Sequence, residues 1–476
     1  MHKNFDMPIS EFREYGHELI DWIADYFENI ENYDVLSKVN PGDIKKQFAK
    51  NAPQKGESIS KILDDFNNKI IPGITHWNHP NFMAYFNSTA SFPAILGDFL
   101  SSALNVNGMI WKTSPALTEL EETVMAWFRE MLQLPQKFFG LTYDLASMSS
   151  MHAIAAAREQ AKSTYTTFDI TKLKLYCSEQ THSSIEKGVL TLGLPLSSVV
   201  KIKTDNQFRM LANKLEDAIR NDLENGMQPF CIVASVGTTS TTSIDPVNEI
   251  TKVAKKYNLW LHVDAAHAGS AAIVPEVRSI LSGVEDADSL VVNPHKWLFV
   301  PIDLSVLFTT KPEVIKKVFS LVPEYLKTDE DNKVINYMDY GIQLGRKFRV
   351  LKLWFLFRYF GVEGLQKIIR EHLRLGELFA DFIDREPNFE RLAPTPLSTI
   401  CFRAVPDNLL EKELNKFNKN LMDKINDSGK LFLSHTELNG KFTIRLSISG
   451  IRTTAEHVLA AWELIKNEFN ELKKNK

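Results

Sequence analysis

The stretch NPHKW, residues 293–297, decides how the rest of this chain is interpreted. It directly follows the apolar run Ser289–Val292, which predicts a short buried strand. Open α/β sheets bind their ligands beyond the carboxyl ends of their strands. The position of Lys296 therefore predicts a functional lysine. The competing interpretation is a surface lysine beside a turn.

A second stretch, LWLHVDAAHAG at residues 259–269, places an acid, Asp264, at the end of another predicted strand. Pyridoxal 5'-phosphate (PLP) chemistry requires an amine that can condense with an aldehyde and an acid that can pair with a pyridinium nitrogen. Lys296 and Asp264 together therefore predict a PLP site. The alternative for Asp264 is an acid that caps a helix after the strand.

These two stretches resemble the PLP-dependent group II decarboxylases, and most of all the aromatic-L-amino-acid decarboxylases. The resemblance runs from residues 11–13 to residues 461–463 and includes PGITHW at 72–77, SPALTELE at 114–121 and LGRKFR at 344–349. So many matches in the same order are far more specific than a single lysine motif.

The resemblance implies an α/β protein of PLP-dependent fold type I, the aspartate-aminotransferase-like fold. We expect an N-terminal helical segment (1–85) that packs on a partner subunit. A large PLP-binding domain (86–360) with a mostly parallel sheet should follow, and then a small α+β C-terminal domain (361–476). The alternation of predicted strands and helices in the middle of the chain independently favours a mostly parallel sheet.

The predicted elements carry that alternation. The strands are expected at residues 174–177, 230–235, 260–263, 289–292 and 305–309, and in the C-terminal part at 397–403, 431–433 and 441–447. The helices are expected at residues 10–30, 148–162, 210–221, 247–257, 349–371 and 454–472. The first helix has an aromatic stripe, which either packs on the chain's own core or contacts a partner subunit.

The bulk composition excludes several classes of protein. Hydrophobic residues make up 44% of the 476 positions and charged residues 24%, with a net charge of −4, so a soluble protein without nucleic-acid partners is expected. No signal peptide is visible and no membrane span is expected, and the three cysteines do not fit a disulfide framework or a zinc site. We expect a cytoplasmic protein with no metal site.

The resemblance assigns catalytic roles to four residues. Lys296 would carry the cofactor, and Asp264 would pair with its pyridine nitrogen. His182 would stack on the pyridine ring and border the substrate carboxylate, although a structural loop histidine is the alternative. Tyr325 would protonate the substrate carbon after CO2 leaves, whereas relatives with phenylalanine there make aldehydes; the alternative is a locally packed loop tyrosine.

Further cofactor contacts are expected around these residues. Ser147 is a candidate N-cap of an alanine-rich helix, and amides at a helix N-terminus bind phosphate. Ala146 matches the family at this turn, whereas Leu145 replaces a smaller residue. Asn293, His295 and Thr239 are carried over as cofactor contacts, and an ordinary turn threonine is the alternative for Thr239.

The substrate pocket is expected to use a second group of residues: Trp77, Tyr85, Phe86, Ser88, Met109, His182 and Gly345. Met109 stands where the family's animal members have an aromatic residue that reaches in from the partner subunit. Gly345 stands where plant relatives with glycine tend to accept indoles and those with serine tend to accept phenols. The alternative is that the aromatic residues belong only to the core.

The resulting prediction is a PLP-dependent decarboxylase that converts an aromatic L-amino acid to the arylalkylamine and CO2, as a homodimer with shared active sites. The enzymatic alternatives are decarboxylation of another amino acid and oxygen-dependent aldehyde synthesis. The non-enzymatic alternative is an inactive interaction protein.

Overall fold

The computed structural model describes residues 6–321, 333–407 and 409–474. Its helices are α1 (Ile9–Glu28), α2 (Asp43–Lys46), α3 (Ile59–Asp65), α4 (Phe92–Leu104), α5 (Pro115–Met131), α6 (Ala146–Thr164), α7 (Ser184–Thr191), α8 (Ala212–Glu224), α9 (Val247–Lys256), α10 (Pro294–Trp297), α11 (Pro312–Phe319), α12 (Val350–Arg385), α13 (Glu411–Asp427) and α14 (Ala455–Lys474). Its strands are β1 (Phe139–Tyr143), β2 (Leu173–Ser178), β3 (Val199–Ile202), β4 (Gln228–Ser235), β5 (Trp260–Asp264), β6 (Ser289–Val292), β7 (Ser305–Thr309), β8 (Phe389–Arg391), β9 (Thr399–Ala404), β10 (Ser434–Leu438) and β11 (Lys441–Ser447).

The large sheet has seven strands in the order β1-β7-β6-β5-β4-β2-β3. Strands β6, β5, β4, β2 and β3 run parallel, whereas β7 is antiparallel to both β6 and β1. This confirms the predicted mostly parallel sheet. The carboxyl ends of the parallel strands lie along one edge, where a ligand site is expected.

Helices cover the large sheet, so its central strands are buried on both faces. The interior of β4 is fully buried, as its continuous apolar sequence predicts. Helix α6 packs on the sheet through Ala153, Ala156 and Ala157, in one apolar cluster with Val233 of β4. Because alanine has a small side chain, α6 can approach the sheet closely.

The C-terminal sheet is antiparallel and has the order β10-β11-β9-β8. Strands β10 and β11 form a hairpin, and its turn residues Asn439 and Gly440 adopt φ values of 52° and 79°. The strand predicted at 431–433 is wrong, because β10 begins at Ser434 and Phe432 instead makes an isolated parallel bridge with Phe82.

Two of the seven large-sheet strands were not predicted from the sequence. They are β1 and β3, which lie at the two edges of the sheet. The five predicted strands all form, and Ser289–Val292 and Ser305–Thr309 have the predicted bounds. Edge strands are harder to detect because they lack the long apolar run of a strand that is buried on both faces.

The predicted start of the small domain at residue 361 falls inside α12. At Gly361 the backbone leaves the helical region, with φ 63° and ψ 177°. Helix α1 has no buried residue, although Trp22 donates a hydrogen bond to Asn67 and stacks on Tyr26. Among the described residues, no helix is both long enough and apolar enough to cross a membrane.

Candidate active site

A cavity of about 260 Å³ lies at the carboxyl edge of the large sheet. The strands β4, β5 and β6 end there: β4 and β5 end in Ser235 and Asp264 of the cavity wall, and β6 is followed by Asn293. The lining residues are Phe86, Leu145, Ala146, Ser147, His182, Ser184, Ser235, Gly237, Thr238, Thr239, Asp264, Ala266, His267, Asn293, His295 and Lys296. The sheet topology thus brings together residues that are far apart in the sequence.

Lys296 reaches this cavity from the short helix α10, directly after β6. Its Nζ lies 5.5 Å from the centre of the Phe86 ring. Burial lowers the pKa of the lysine from its ordinary value, and the nearby Asp264 carboxylate opposes that shift. A lower pKa increases the fraction of neutral amine, which is the form that attacks an aldehyde.

Asp264 ends β5 and lines the same cavity. Its Oδ1 accepts a hydrogen bond of 3.1 Å from the backbone N–H of Ala266, which fixes the carboxylate at the strand end. The neighbouring His262 is fully buried and hydrogen-bonded through both ring nitrogens, to Ser289 and Ser150. The acid is therefore held by a rigid strand.

His182 enters the cavity just before α7. Its Nδ1 accepts a hydrogen bond from the backbone N–H of Ser184 at 3.1 Å and lies 2.8 Å from the Ser184 hydroxyl. Because Nδ1 accepts, the proton of the neutral ring is on Nε2. Burial lowers the pKa of His182, against the attraction of Asp264, which favours this neutral form.

The N-terminus of α6 forms another wall of the cavity. The helix begins at Ala146 and its N-cap residue is Leu145, so the prediction that Ser147 is the N-cap is wrong. Ser147 lies in the first turn, and both it and Ala146 line the cavity. No side chain of the described residues caps this end, which leaves amides available to an anionic group such as a phosphate.

The remaining predicted cofactor contacts also line the cavity. His295 donates a hydrogen bond from Nδ1 to the carbonyl oxygen of Leu304 at 2.6 Å, and burial lowers its pKa to about 4. Thr239 lies on the turn after β4, close to Gly237. At Gly237 φ is 84° and a Cβ atom would come within 2.5 Å of the Ala268 Cβ, so glycine is needed for this turn.

His267 also lines the cavity, although the sequence analysis gave it no role. Its ring is stacked between Phe86, at 3.8 Å, and Trp297, at 4.7 Å. Its place three residues after Asp264, beyond the same strand, is the signal that could have identified it. Ser235 and Thr238 were missed in the same way, although they end or follow β4.

The polar atoms around the cavity fit the phosphate and pyridine groups of PLP. Among the described residues, Asn293 Oδ1 and both ring nitrogens of His267 are buried without a hydrogen-bond partner. Such orphaned groups are rare in native proteins and indicate a missing partner. An uncapped helix, a lysine and an acid at one cavity complete the set of groups that PLP requires.

Five predicted substrate residues do not line this cavity: Trp77, Tyr85, Ser88, Met109 and Gly345. Trp77 and Tyr85 stack on each other at 6.0 Å, with 40% and 51% of their surfaces exposed. Gly345 is exposed, and Met109 is partly exposed. Tyr325 lies outside the described residues.

Comparison with known proteins decides the family. The model of the pyridoxal-dependent decarboxylase conserved domain matches residues 41–405. The chain belongs to this family. This confirms the resemblance seen in the sequence: the chain is a PLP-dependent carboxy-lyase of fold type I.

Individual relatives match along almost the whole chain. Tyrosine decarboxylase 3 of Petroselinum crispum is 42% identical, over 97% of this chain and 92% of the relative. A phenylacetaldehyde synthase of Arabidopsis thaliana is 40% identical, over 98% of this chain and 97% of the relative. The crystal structure of Oryza sativa TDC with PLP and tryptamine matches with a TM-score of 0.96 and 33% identity, over 98% of this chain and 100% of that one.

Proposed function

We propose that this protein decarboxylates an aromatic L-amino acid to the corresponding arylalkylamine and CO2. The observation that carries the proposal is the convergence of Lys296, Asp264 and His182 on one cavity, at the carboxyl edge of the large sheet. These residue types match the requirements of PLP-dependent carbanion chemistry. All three are present, which argues against an inactive interaction protein.

Bound PLP supplies an aldehyde and an electron-accepting ring, into which the electrons of the broken Cα–carboxylate bond are withdrawn. Lys296 is positioned to hold the cofactor through its amine. Asp264 would keep a proton on the pyridine nitrogen, because the carboxylate stabilises the protonated form. The amides at the start of α6 would bind the phosphate.

His182 and the groups of the cavity wall would orient the substrate. The Nε2–H group of His182 can donate a hydrogen bond to a substrate carboxylate, since Nδ1 already accepts a hydrogen bond from Ser184. Cleavage of one particular bond at Cα depends largely on positioning, and a rigid wall favours that control. Phe86, which stacks on His267 and lies near Lys296 Nζ, gives the cavity an apolar face.

The identities of the relatives support an aromatic substrate. The relative from Petroselinum crispum is named for tyrosine, and the Oryza sativa structure contains tryptamine. The apolar ring of Phe86 in the cavity is suited to a flat aromatic group. Gly345 bears on whether the substrate ring is a phenol or an indole.

Aldehyde synthesis is the second candidate, because a phenylacetaldehyde synthase matches the chain almost as well as the tyrosine decarboxylase does. The residue at position 325 separates the two candidates. This chain has tyrosine there, which would supply a proton to Cα, so plain decarboxylation is favoured.

A product screen tests the proposal. Purified protein with added PLP is incubated with tyrosine, tryptophan, phenylalanine and glutamate, and amine, aldehyde, peroxide and CO2 are measured. Amine and CO2 from an aromatic amino acid, without peroxide, are expected. Aldehyde with peroxide would select the second candidate, and a preference for glutamate would overturn the aromatic proposal.

We further propose that the protein is a homodimer with shared active sites. Helix α4 exposes five large apolar side chains, which are Phe92, Leu96, Phe99, Leu100 and Leu104. Helix α1 exposes Ile9, Phe12, Leu19 and Ile20 and buries no residue in its own chain. Exposed apolar surface of this extent is typical of an interface.

Sedimentation at micromolar concentration tests the assembly. A species of twice the 54.2 kDa chain mass is expected. An active monomer would overturn the homodimer and the sharing of sites.

A further inference from the structure

The side chain of Arg346 occupies the centre of a buried polar network outside the cavity. Its Nη2 donates to Glu121 Oε1 at 2.8 Å and to the carbonyl oxygen of Thr142 at 2.8 Å. Only 9% of the Arg346 side chain and 2% of the Glu121 side chain are exposed. A buried pair of this kind needs additional hydrogen bonds, which Thr142 supplies to Nη2, whereas Nη1 has no hydrogen-bond partner among the described residues.

The partners of Arg346 are themselves well fixed. Glu121 Oε1 also accepts hydrogen bonds from the backbone N–H of Thr142 at 2.9 Å and from its hydroxyl at 2.8 Å. The guanidinium group lies over the ring of Tyr337, 4.3 Å from its centre. Arg346 therefore joins helix α5, strand β1 and the segment around Tyr337.

The backbone of Arg346 holds a fourth segment. Its N–H donates to Asn107 Oδ1 at 3.0 Å, and its carbonyl oxygen accepts from the N–H of Gly108 at 2.8 Å. Next to these bonds, the Met338 N–H donates to the Met109 carbonyl oxygen at 3.0 Å. Residues 107–109 and 345–346 thus form one unit, which we call the 109/345 unit.

The 109/345 unit does not face the cavity of its own chain, because neither Met109 nor Gly345 is among the cavity-lining residues. It lies beside an exposed apolar surface, since Ile342 is 65% exposed, Leu344 is 47% exposed and α4 ends just before residue 107. Lys347 Nζ lies 2.7 Å from Asp98 Oδ1 on α4, so the unit also lies beside the helix whose apolar face we assign to the homodimer. The unit is therefore placed to meet the partner subunit.

We propose that Arg346 is a positioning residue that acts across the dimer interface: it fixes the 109/345 unit of one subunit, which completes the substrate-binding side of the partner's cavity. This inference rests on the proposed homodimer. Arg346 itself touches neither the cavity nor the reacting atoms. Its effect is to hold Met109 and Gly345 at a fixed place on the surface.

The chemistry of arginine explains why this position needs a guanidinium group. Its Nη2 alone donates to Glu121 and Thr142, while the flat face of the guanidinium group rests on the Tyr337 ring. A lysine keeps the positive charge but has no flat face to lie on that ring. Arg346→Lys should therefore loosen the 109/345 unit without leaving Glu121 unpaired.

The first experiment compares the kinetics of Arg346→Lys, wild type and a control, Arg374→Lys. Arg374 lies on α12 in an exposed ion pair with Glu371 and belongs to neither the cavity nor the interface network. For Arg346→Lys we expect the KM of the preferred amino acid to rise about tenfold with little change in kcat, since lost uniform binding appears in KM. PLP absorbance should equal that of wild type, and the control should behave as wild type.

A second variant tests whether the rise in KM comes from the 109/345 unit and not from a loss of folding. Asn107→Ala removes the hydrogen bond to the Arg346 backbone, and residue 107 is exposed, so its effect on folding should be small. We expect a smaller rise of KM in the same direction, with an unchanged melting temperature. If both variants keep the wild-type KM, the positioning role is wrong.

Mixed dimers test whether the effect crosses the interface. A Lys296→Ala chain and an Arg346→Lys chain are co-expressed with different affinity tags, and the heterodimer is purified over both. Its single active site has Lys296 from the second chain. If Arg346 acts across the interface, that site receives the wild-type 109/345 unit of the first chain, and the wild-type KM returns.

The other outcomes are distinguishable. A heterodimer with the raised KM of the Arg346→Lys homodimer would show that Arg346 serves the cavity of its own chain, which overturns the proposal. Failure to recover any doubly tagged dimer, with active monomers in sedimentation, would instead overturn the homodimer. Loss of PLP absorbance in Arg346→Lys, with Asn107→Ala unaffected, would assign Arg346 to general stability.

Discussion

The cavity and the 109/345 unit differ in how completely one chain forms them. The cavity gathers Lys296, Asp264 and His182 from three separate segments at the edge of one sheet. The unit is also firmly held, through Arg346, yet neither Met109 nor Gly345 lines the cavity of its own chain. The comparison teaches that a single chain brings the chemical groups together, whereas the proposed recognition of the substrate side chain depends on the proposed homodimer.

The largest expected effect concerns Lys296 in the cavity. Lys296→Ala should abolish nearly all turnover, because Lys296 is the only lysine among the described residues that line the cavity. The measurement is borohydride reduction of the wild-type enzyme, followed by digestion and mass spectrometry. The pyridoxyl label should be found on Lys296.

Lys352 provides an internal control for this labelling. It is the second lysine with a lowered pKa, at about 8, because it is buried. It donates to the carbonyl oxygens of Pro301 and Asp303, away from the cavity. A label on Lys352, or on any lysine other than 296, would contradict the assignment.

Tyr325→Phe should change the product as well as the rate. Phenylalanine keeps the ring and removes the proton donor, and general-acid steps of this kind contribute roughly 10² to 10⁴ in rate. We expect less amine and, in air, new aldehyde, ammonia and peroxide. Product yields with and without oxygen are the measurement. Amine formation at the wild-type rate with no aldehyde would exclude Tyr325 as the donor.

Asp264→Asn should reduce the rate roughly a hundredfold or more, which corresponds to a few kcal/mol of transition-state stabilisation. The amide oxygen can still accept the Ala266 hydrogen bond, but the side chain lacks the charge that keeps a pyridine nitrogen protonated. Turnover and melting temperature are compared with those of Asp217→Asn, an exposed change on α8. Activity within about tenfold of wild type would count against the role of Asp264.

The smallest expected effect concerns Gly345 in the exposed 109/345 unit. A Cβ at Gly345 would have only the Asn107 amide group within 4 Å, at 3.7 and 3.8 Å, so Gly345→Ser should fold normally. In the assembly the added bulk should lower kcat/KM for tryptophan relative to tyrosine by roughly tenfold. Equal effects on both amino acids would show that Gly345 does not select between the substrates.

Much of the large sheet could be predicted from the sequence, because β4, β5 and β6 are apolar runs that end at polar residues. The search for polar residues at the ends of apolar runs located Asp264 and Lys296. The same search did not find the edge strands β1 and β3. His267 was overlooked because its stacking partners, Phe86 and Trp297, come from distant parts of the chain. The N-cap assigned to Ser147 was wrong because Leu145, which cannot cap through its side chain, takes that place.

The sequence by itself determined the family, the cofactor chemistry and the residues at the ends of the central strands, since strand periodicity and motif order are local properties of the chain. Only the tertiary structure decided which of those residues meet in one cavity. Only it separated Phe86, which lines the cavity, from Trp77, Met109 and Gly345, which do not. The physical reason is that the burial and the orientation of a side chain depend on how distant segments pack. The 109/345 unit depends on hydrogen bonds between residues more than two hundred positions apart.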